Sequence, residues 1–235
     1  MGVVQRLRAR LSKAEEARFI SHLDFMRTLE RALRRASIPV AYSQGFNPHP
    51  RFSLAPALAV GVTSSAEYGD FELRARVSPE DFARRLNEVL PAGLRVEEVR
   101  EIAPGSPPLA AEINVVSYLV DLETGELISP EEGEKELADF LGGERIPVSR
   151  GTKRGVREID LRPLILGAEL LESEGRRLRL RLRLRTGSQG SARPEEVVQA
   201  WQRLSPRLGE ARITRIHREG LYVEKRGRLY PPIQA

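Results

Sequence analysis

Residues 78–99, "SPEDFARRLNEVLPAGLRVEEV", return in altered form at 192–213 as "ARPEEVVQAWQRLSPRLGEARI", and the fold is decided by how that recurrence is read. In the first copy Ser78 is placed to cap a helix and Pro79 stands at its first position, where the missing N–H is no loss. A strand over 94–102 follows. In the second copy a helix over 194–204 leads into a strand over 211–223. A helix-then-strand unit met twice at corresponding places points to an internal duplication.

The same order extends outward from both copies. Residues 3–11 alternate as a strand, and 21–36 read as a helix with the stripe His22, Met26, Leu29, Leu33 and Ala36. Arg27, Arg31, Arg34 and Arg35 lie off that stripe; Ser21 is placed as N-cap with Asp24 at the third helical position, and Pro39 follows the helix end. A strand over 68–77 precedes Ser78, so the first half reads βαββαβ if a short strand lies at 39–43 or 52–58. "APGSPPLAAE", 103–112, reads as a linker. After it come a strand over 113–122, a helix over 130–141, a segment over 146–166 and a strand over 177–185. The expectation is an α+β protein of two tandem ferredoxin-like (βαββαβ) halves with antiparallel sheets, residues 1–104 and 111–235, packed together rather than swinging freely. Each sheet would carry its helices on one face and leave the other open, the face that often binds RNA in this topology.

Composition sets the bounds. At 235 residues and 40% apolar content the chain can build real cores, so disorder is excluded as the default. No apolar run approaches the ~18 residues of a membrane span and no signal-peptide block opens the chain, so a cytoplasmic protein without membrane partners is expected. Cysteine is absent, which rules out disulfides, a cysteine nucleophile, thiolate zinc and cysteine-ligated iron–sulfur clusters held by this chain. The net charge of +5 favours a polyanionic partner, although an Arg- and Glu-rich composition also arises in thermophiles and high-GC genomes.

Two basic elements stand out. In "RRLRLRLRLRT", 176–186, period 2 sends Leu178, Leu180, Leu182 and Leu184 one way and Arg177, Arg179, Arg181, Arg183 and Arg185 the other. The guanidinium groups would stand about 7 Å apart along one track, suited to phosphate oxygens unless neighbouring strands pair them with Glu. The second is "SRGTKRGVREIDLRP", 149–163. Gly151 and Gly155 bracket Lys153 and Arg154, with Arg150 and Arg157 at the flanks, which is either a phosphate-approaching turn or a solvated hairpin tip. The spacing is not that of a Walker loop.

"YSQGFNPHPRFSLAP", 42–56, is the odd stretch. Pro48 and Pro50 hold Asn47 and His49 in extended geometry, which lowers the entropy lost when a side chain engages a ligand. Phe46 and Phe52 are expected to anchor the loop in the core, leaving Asn47, His49 and Arg51 facing a groove beside the helix start at Ser21. There Asn47 and His49 would make directional hydrogen bonds, Arg51 would take a phosphate and Gly45 would allow close approach. Ser43, His22 and Asp24 complete the candidate ligand-binding set. His22, Asp24 and His49 would hold a metal only if the fold joined them, and no metal site is expected; His217 reads as structural.

The blocks "FISHLD" (19–24), "YSQGFNPHP" (42–50) and "EYGDFEL" (67–73) together resemble the signature of the uncharacterised domain family linked to radical-SAM proteins. "GTKRGVREIDLRPLI", 151–165, is similar to that family's second block, so the resemblance covers most of the chain. It implies an accessory to a radical-SAM enzyme, with the iron–sulfur cluster and S-adenosylmethionine on the partner and no cofactor in this cysteine-free chain. A more distant likeness is to the tandem ferredoxin-like endoribonucleases that process CRISPR RNA, which place a histidine near the first helix. Their glycine-rich loop near the C-terminus is missing here, where "REGLYVEKRGRLY" has single glycines only.

The expected function is therefore that of an RNA-binding accessory presenting RNA or a ribonucleoprotein to a radical-SAM enzyme. Two alternatives stand beside it. One is a metal-independent endoribonuclease with His22 or His49 as general acid or base. The other is a structural partner whose basic surface docks an acidic protein.

Overall fold

The computed structural model describes residues 2–152 and 155–234. In chain order the elements are β1 (Gln5–Lys13), α1 (His22–Arg35), β2 (Phe52–Leu54), β3 (Thr63–Leu73), α2 (Pro79–Asn87), β4 (Leu94–Ile102) and α3 (Leu109–Glu112). They continue with β5 (Val115–Glu123), α4 (Pro130–Gly142), β6 (Pro147–Thr152), β7 (Gly155–Asp160), β8 (Ile165–Glu174), β9 (Arg177–Arg185), α5 (Pro194–Leu204), β10 (Arg212–Lys225) and β11 (Arg228–Tyr230). The protein is α+β, and its strand pairings are antiparallel wherever the register is defined. Among the described residues no helix is long and apolar enough to cross a membrane.

The chain divides into two compact units, residues 1–113 with 220–235, and residues 114–219. In the first, β1 lies between β4 and β3, and β2 adds to the other edge of β3, where Phe52 stands opposite Phe71. Period 2 in β1 sends Leu7, Ala9 and Leu11, all fully buried, onto the helices. There they meet Phe25, Leu29 and Leu33 of α1 and Phe82 and Leu86 of α2. Phe71 is the hub: its ring stacks on Phe52 at 5.6 Å and tilts against Phe82 at 5.2 Å. The stripe of α1 is centred on Phe25, Leu29, Ala32 and Leu33, with His22 and Met26 only half-buried at its margin. That corrects the expected His22 and Met26 stripe, and the larger apolar gain from burying Phe25 accounts for the rotation.

The opposite face of the first unit's sheet is not wholly open, contrary to expectation. Arg8, 2% exposed, grips Asp70, also 2% exposed, through Nε–Oδ1 at 2.7 Å and Nη2–Oδ2 at 2.9 Å. The same guanidinium donates to the Pro232 carbonyl at 2.9 Å and the Pro107 carbonyl at 3.4 Å, and pairs with Glu112 at 3.4 Å. Residues of the interval read as a linker, together with the C-terminal segment, thus cover the middle of that face. A buried ion pair of this kind survives because every strong donor is satisfied.

In the second unit β9 pairs with β5 on one edge and β8 on the other, and β10 lies beside β5. Leu178, Leu180, Leu182 and Leu184 are buried against the helices, as their alternation predicts. Trp201 of α5 packs on Phe140 of α4 at 6.3 Å and donates its indole N–H to the Glu136 carbonyl at 3.2 Å. Residues 146–166 hold a separate two-stranded ribbon, β6 and β7, followed by the start of β8. Asp160 ties the base of this ribbon by accepting the N–H groups of Ile146 at 2.8 Å and Arg162 at 3.0 Å. Those two backbone donors hold its carboxyl below the usual carboxylate range.

Candidate functional site

The stretch around His49 doubles back on itself. The Arg51 N–H donates to the Ala41 carbonyl at 2.7 Å, Tyr42 and Pro50 bridge, and the Ser43 N–H donates to the His49 carbonyl at 2.9 Å. The Ser43 hydroxyl accepts the His49 N–H at 3.0 Å, so its side chain is spent on closing the loop. Two X-Pro steps supply no N–H at 48 or 50, which keeps the ladder to these few bonds. Gly45 turns the tip at φ +124°, a conformation other residues adopt only with strain.

Phe46 is fully exposed at this tip, which overturns its expected role as an anchor. Phe52, stacked on Phe71, and Leu54 pack the base of the loop against the core instead. Five backbone units form a free-standing tip, so the Phe46 ring has no core within reach, and residues 44–48 make no hydrogen bond or ion pair with other described residues. Asn47 and His49 are exposed beside it. Arg51 is turned back to Glu72 at 2.6 Å rather than held free for a phosphate.

At the start of α1, Asp24 is occupied by the helix cap: its N–H donates to Ser21 Oγ at 3.1 Å, its carboxylate accepts the Ser21 hydroxyl at 2.7 Å, and Arg27 approaches at 3.3 Å. The Ser21 hydrogen bond, more than Arg27, holds this carboxyl below its ordinary range. Neither the His22 nor the His49 imidazole makes a hydrogen bond to a described residue, and among the described residues no group of three His, Asp or Glu side chains is assembled for a metal. Sequence reasoning missed the exposed apolar side chains near this helix start, Phe19, Leu23 and Val60. The Gly61 N–H donates to the Arg18 carbonyl at 2.8 Å, bringing Val60 close to Phe19, whose ring carries the Arg18 guanidinium at 4.5 Å. Both Phe19 and Leu23 lie in the block "FISHLD", where the histidine is the more conspicuous residue in sequence.

The arginine track of β9 exists, but its guanidinium groups are largely engaged. Arg179 binds Asp121 at 2.7 Å and Glu172 at 3.0 Å, and Arg181 binds Glu219 at 3.0 Å and Glu169 at 3.1 Å. The Asp121 hydrogen bond raises the Arg179 pKa, and the Glu219 hydrogen bond does the same for Arg181. Burial would raise the Glu219 pKa, but the hydrogen bonds from Arg181 and Ser117 outweigh it and hold the group low. Arg183 has no carboxylate partner among the described residues. A recess of about 370 Å³ at one end of the track is lined by Asp121, Glu123, Glu172, Glu174, Arg177 and Arg179, more anionic than cationic.

In the ribbon, Arg150 forks onto Glu196 at 2.7 and 2.6 Å and donates to the Ser191 carbonyl at 2.8 Å, so it pins β6 to the start of α5. Arg157, its cross-strand neighbour, is exposed. Lys153 and Arg154 lie outside the described residues.

A family model described as an uncharacterized protein conserved in bacteria, DUF2344, matches residues 6–194. No curated protein matches the chain. Among solved structures, a chain of a Cbf5-Nop10-Gar1 complex is similar in fold, with 11% identity and a TM-score of 0.51 over 92% of this chain and 50% of that one. A chain of the archaeal box H/ACA sRNP Nop10-Cbf5 complex is similar at 10% identity and a TM-score of 0.45, over 89% of this chain and 46% of that one. The chain thus spans about half the length of these solved relatives. An unknown protein from Galdieria sulphuraria aligns at 14% identity with a TM-score of 0.26, over 91% of this chain and 98% of that one.

Proposed function

The chain belongs to the bacterial DUF2344 family, and on that premise we propose that it is an RNA-binding accessory protein working with a radical-SAM enzyme on RNA or ribonucleoprotein. The observation that carries the reading is the tip at residues 44–48: a fully exposed Phe46 beside exposed Asn47 and His49, on a stem closed by Ser43. A phenylalanine held in water gains by being covered. A nucleobase covers it by stacking and offers edges to Asn and His, which is how unpaired RNA is recognised. The net charge of +5 favours such a polyanion.

The radical-SAM partner would meet the exposed apolar side chains Phe19, Leu23 and Val60. The iron–sulfur cluster and S-adenosylmethionine belong to that partner, because this chain has no thiolate to offer. Arg183 and Arg157 are the better candidates for backbone phosphate among the arginines of β9 and the ribbon. A phosphate at Arg150, Arg179 or Arg181 must displace a carboxylate. The finer fold reading, two tandem ferredoxin-like halves, is supported by the βαββαβ order of β1 to β4 and by the order β10, β5, β9, β8, with β6 and β7 as an insertion.

The test is to titrate the purified chain into labelled single-stranded RNA with EDTA present, following both retention and chain length. Retention of intact RNA that falls for Phe46→Ala is expected. Cleavage would move the assignment to the endoribonuclease, and absence of both would leave a protein-docking role.

A further inference from the structure

A third basic element stands at the far end of the chain. Strands β10 and β11 form a hairpin with Val223 opposite Tyr230, Glu224 opposite Leu229 and Lys225 opposite Arg228. Its two turn residues are Arg226 at φ +52° and Gly227 at φ +75°, the pattern of a type I′ turn. Gly suits that turn, and so do Asn and Asp at its first position; an arginine there is held at a conformational cost. Apart from Arg226, the only non-glycine residue with positive φ among the described residues is Ser37, which follows the end of α1.

The side chains around the turn differ from the arginines described above. Arg150, Arg179 and Arg181 are locked to carboxylates, whereas Arg226 and Arg228 are exposed and have no ion-pair partner among the described residues. Lys225, 54% exposed, only reaches Glu112 at 4.0 Å. Together with the half-buried ring of Tyr230, these three cations line an open recess of about 860 Å³. Three positive charges within four residues, against Glu224 beside Lys225 in the chain and Glu112 at 4.0 Å, leave the turn net positive and attractive to a polyanion, and an aromatic wall beside them adds a surface on which a base can stack.

We propose that the β10–β11 hairpin is an RNA contact in its own right, with Lys225, Arg226 and Arg228 taking backbone phosphates and Tyr230 stacking a base of the same single strand. The assignment rests on the RNA reading above but on none of its residues. The two-residue turn fixes the backbone at the exposed Arg226, so a phosphate contact there orders a side chain and not a flexible loop.

The experiment measures the affinity of fluorescein-labelled single-stranded RNA by anisotropy across a potassium chloride series. Wild type is compared with Arg226→Asn/Arg228→Gln, with Lys225→Gln/Arg228→Gln, with Tyr230→Phe and Tyr230→Leu, and with Phe46→Ala. Asn keeps the turn, and the second double variant leaves it untouched, so at least one charge variant stays folded, as thermal melting verifies. Each double variant is expected to bind more weakly and to lose about 1.4 from the slope of log affinity against log salt, two phosphates at ~0.7 each. Tyr230→Leu should lose at least about fivefold in affinity and Tyr230→Phe little. If wild type and Phe46→Ala differ while both folded charge variants match wild type in affinity and slope, the hairpin is not a contact and the RNA reading survives. If wild type itself binds no RNA, both fall together.

Discussion

Asp70 shows how much one side chain can be asked to hold. It is buried and takes two hydrogen bonds from Arg8 and a third, at 3.3 Å, from Arg6. Replacing it with Ala leaves the 2%-exposed Arg8 charge without its main counterion, and about 3–5 kcal/mol of stability should be lost, read from urea unfolding. A loss under ~1 kcal/mol would mean that Pro107, Pro232 and Glu112 suffice for the guanidinium. Phe46 is the opposite case. Its ring touches water only, so Phe46→Ala should leave the melting temperature unchanged while weakening RNA by about 1–3 kcal/mol. Neither residue can be placed from sequence: an aspartate in an alternating strand reads as solvent-facing, and a phenylalanine reads as buried. What decides both is which distant segments do or do not arrive to cover them.

At the scale of elements, β4, β9 and α5 are legible in sequence at their observed bounds. β9 carries a strict period, β4 alternates over its first four residues before a register shift, and α5 opens with a proline at its first turn. Periodicity places the start of β3 five residues late, because the strand is buried on both faces and its Ala66, Tyr68, Asp70 and Phe71 give no alternation to follow. The ribbon of β6 and β7 is hidden for the converse reason: β7 is exposed over most of its length, so no buried face marks it. Its base depends on Asp160, whose folded-state pKa is depressed by the Ile146 and Arg162 N–H groups. The sign follows: the charged carboxylate stabilises the fold at pH above its unfolded pKa of about 3.9, and that contribution is lost as pH falls through the lower folded value. The stability gap between wild type and Asp160→Asn should therefore be constant near neutrality and close in acid. A gap independent of pH down to strong acid would show that the hydrogen bonds, not the charge, matter. Gly93 makes a second test. Its φ is +83°, and a methyl group on its Cα would stand 2.8 Å from the Ala17 backbone nitrogen, so Gly93→Ala should cost more than about 1 kcal/mol in chemical denaturation.

For the whole molecule, the two copies of the helix-then-strand pattern are visible in sequence, and the assignment of the chain's end is not. A division at 103–112 gives everything beyond it to the second half, yet residues 220–235 group with residues 1–113. Local periodicity carries no record of such a return, because it is made by single contacts far apart in sequence: Pro232 accepts from Arg8, and Ile233 is 6% exposed. Ending the chain after Lys225 should therefore act on the first unit. The removed segment takes away one buried isoleucine, worth about 1.5–3 kcal/mol, and uncovers the Arg8 and Asp70 pair to water. Hydrogen exchange read strand by strand is the measurement. Amides of β1 and β3 should lose protection in the truncated chain while those of β9 keep theirs, since sub-global opening follows the contacts that are removed. Equal loss in β1 and β9 would mean that the two units open as one cooperative body, and that the C-terminal segment stabilises the molecule as a whole rather than the unit it covers.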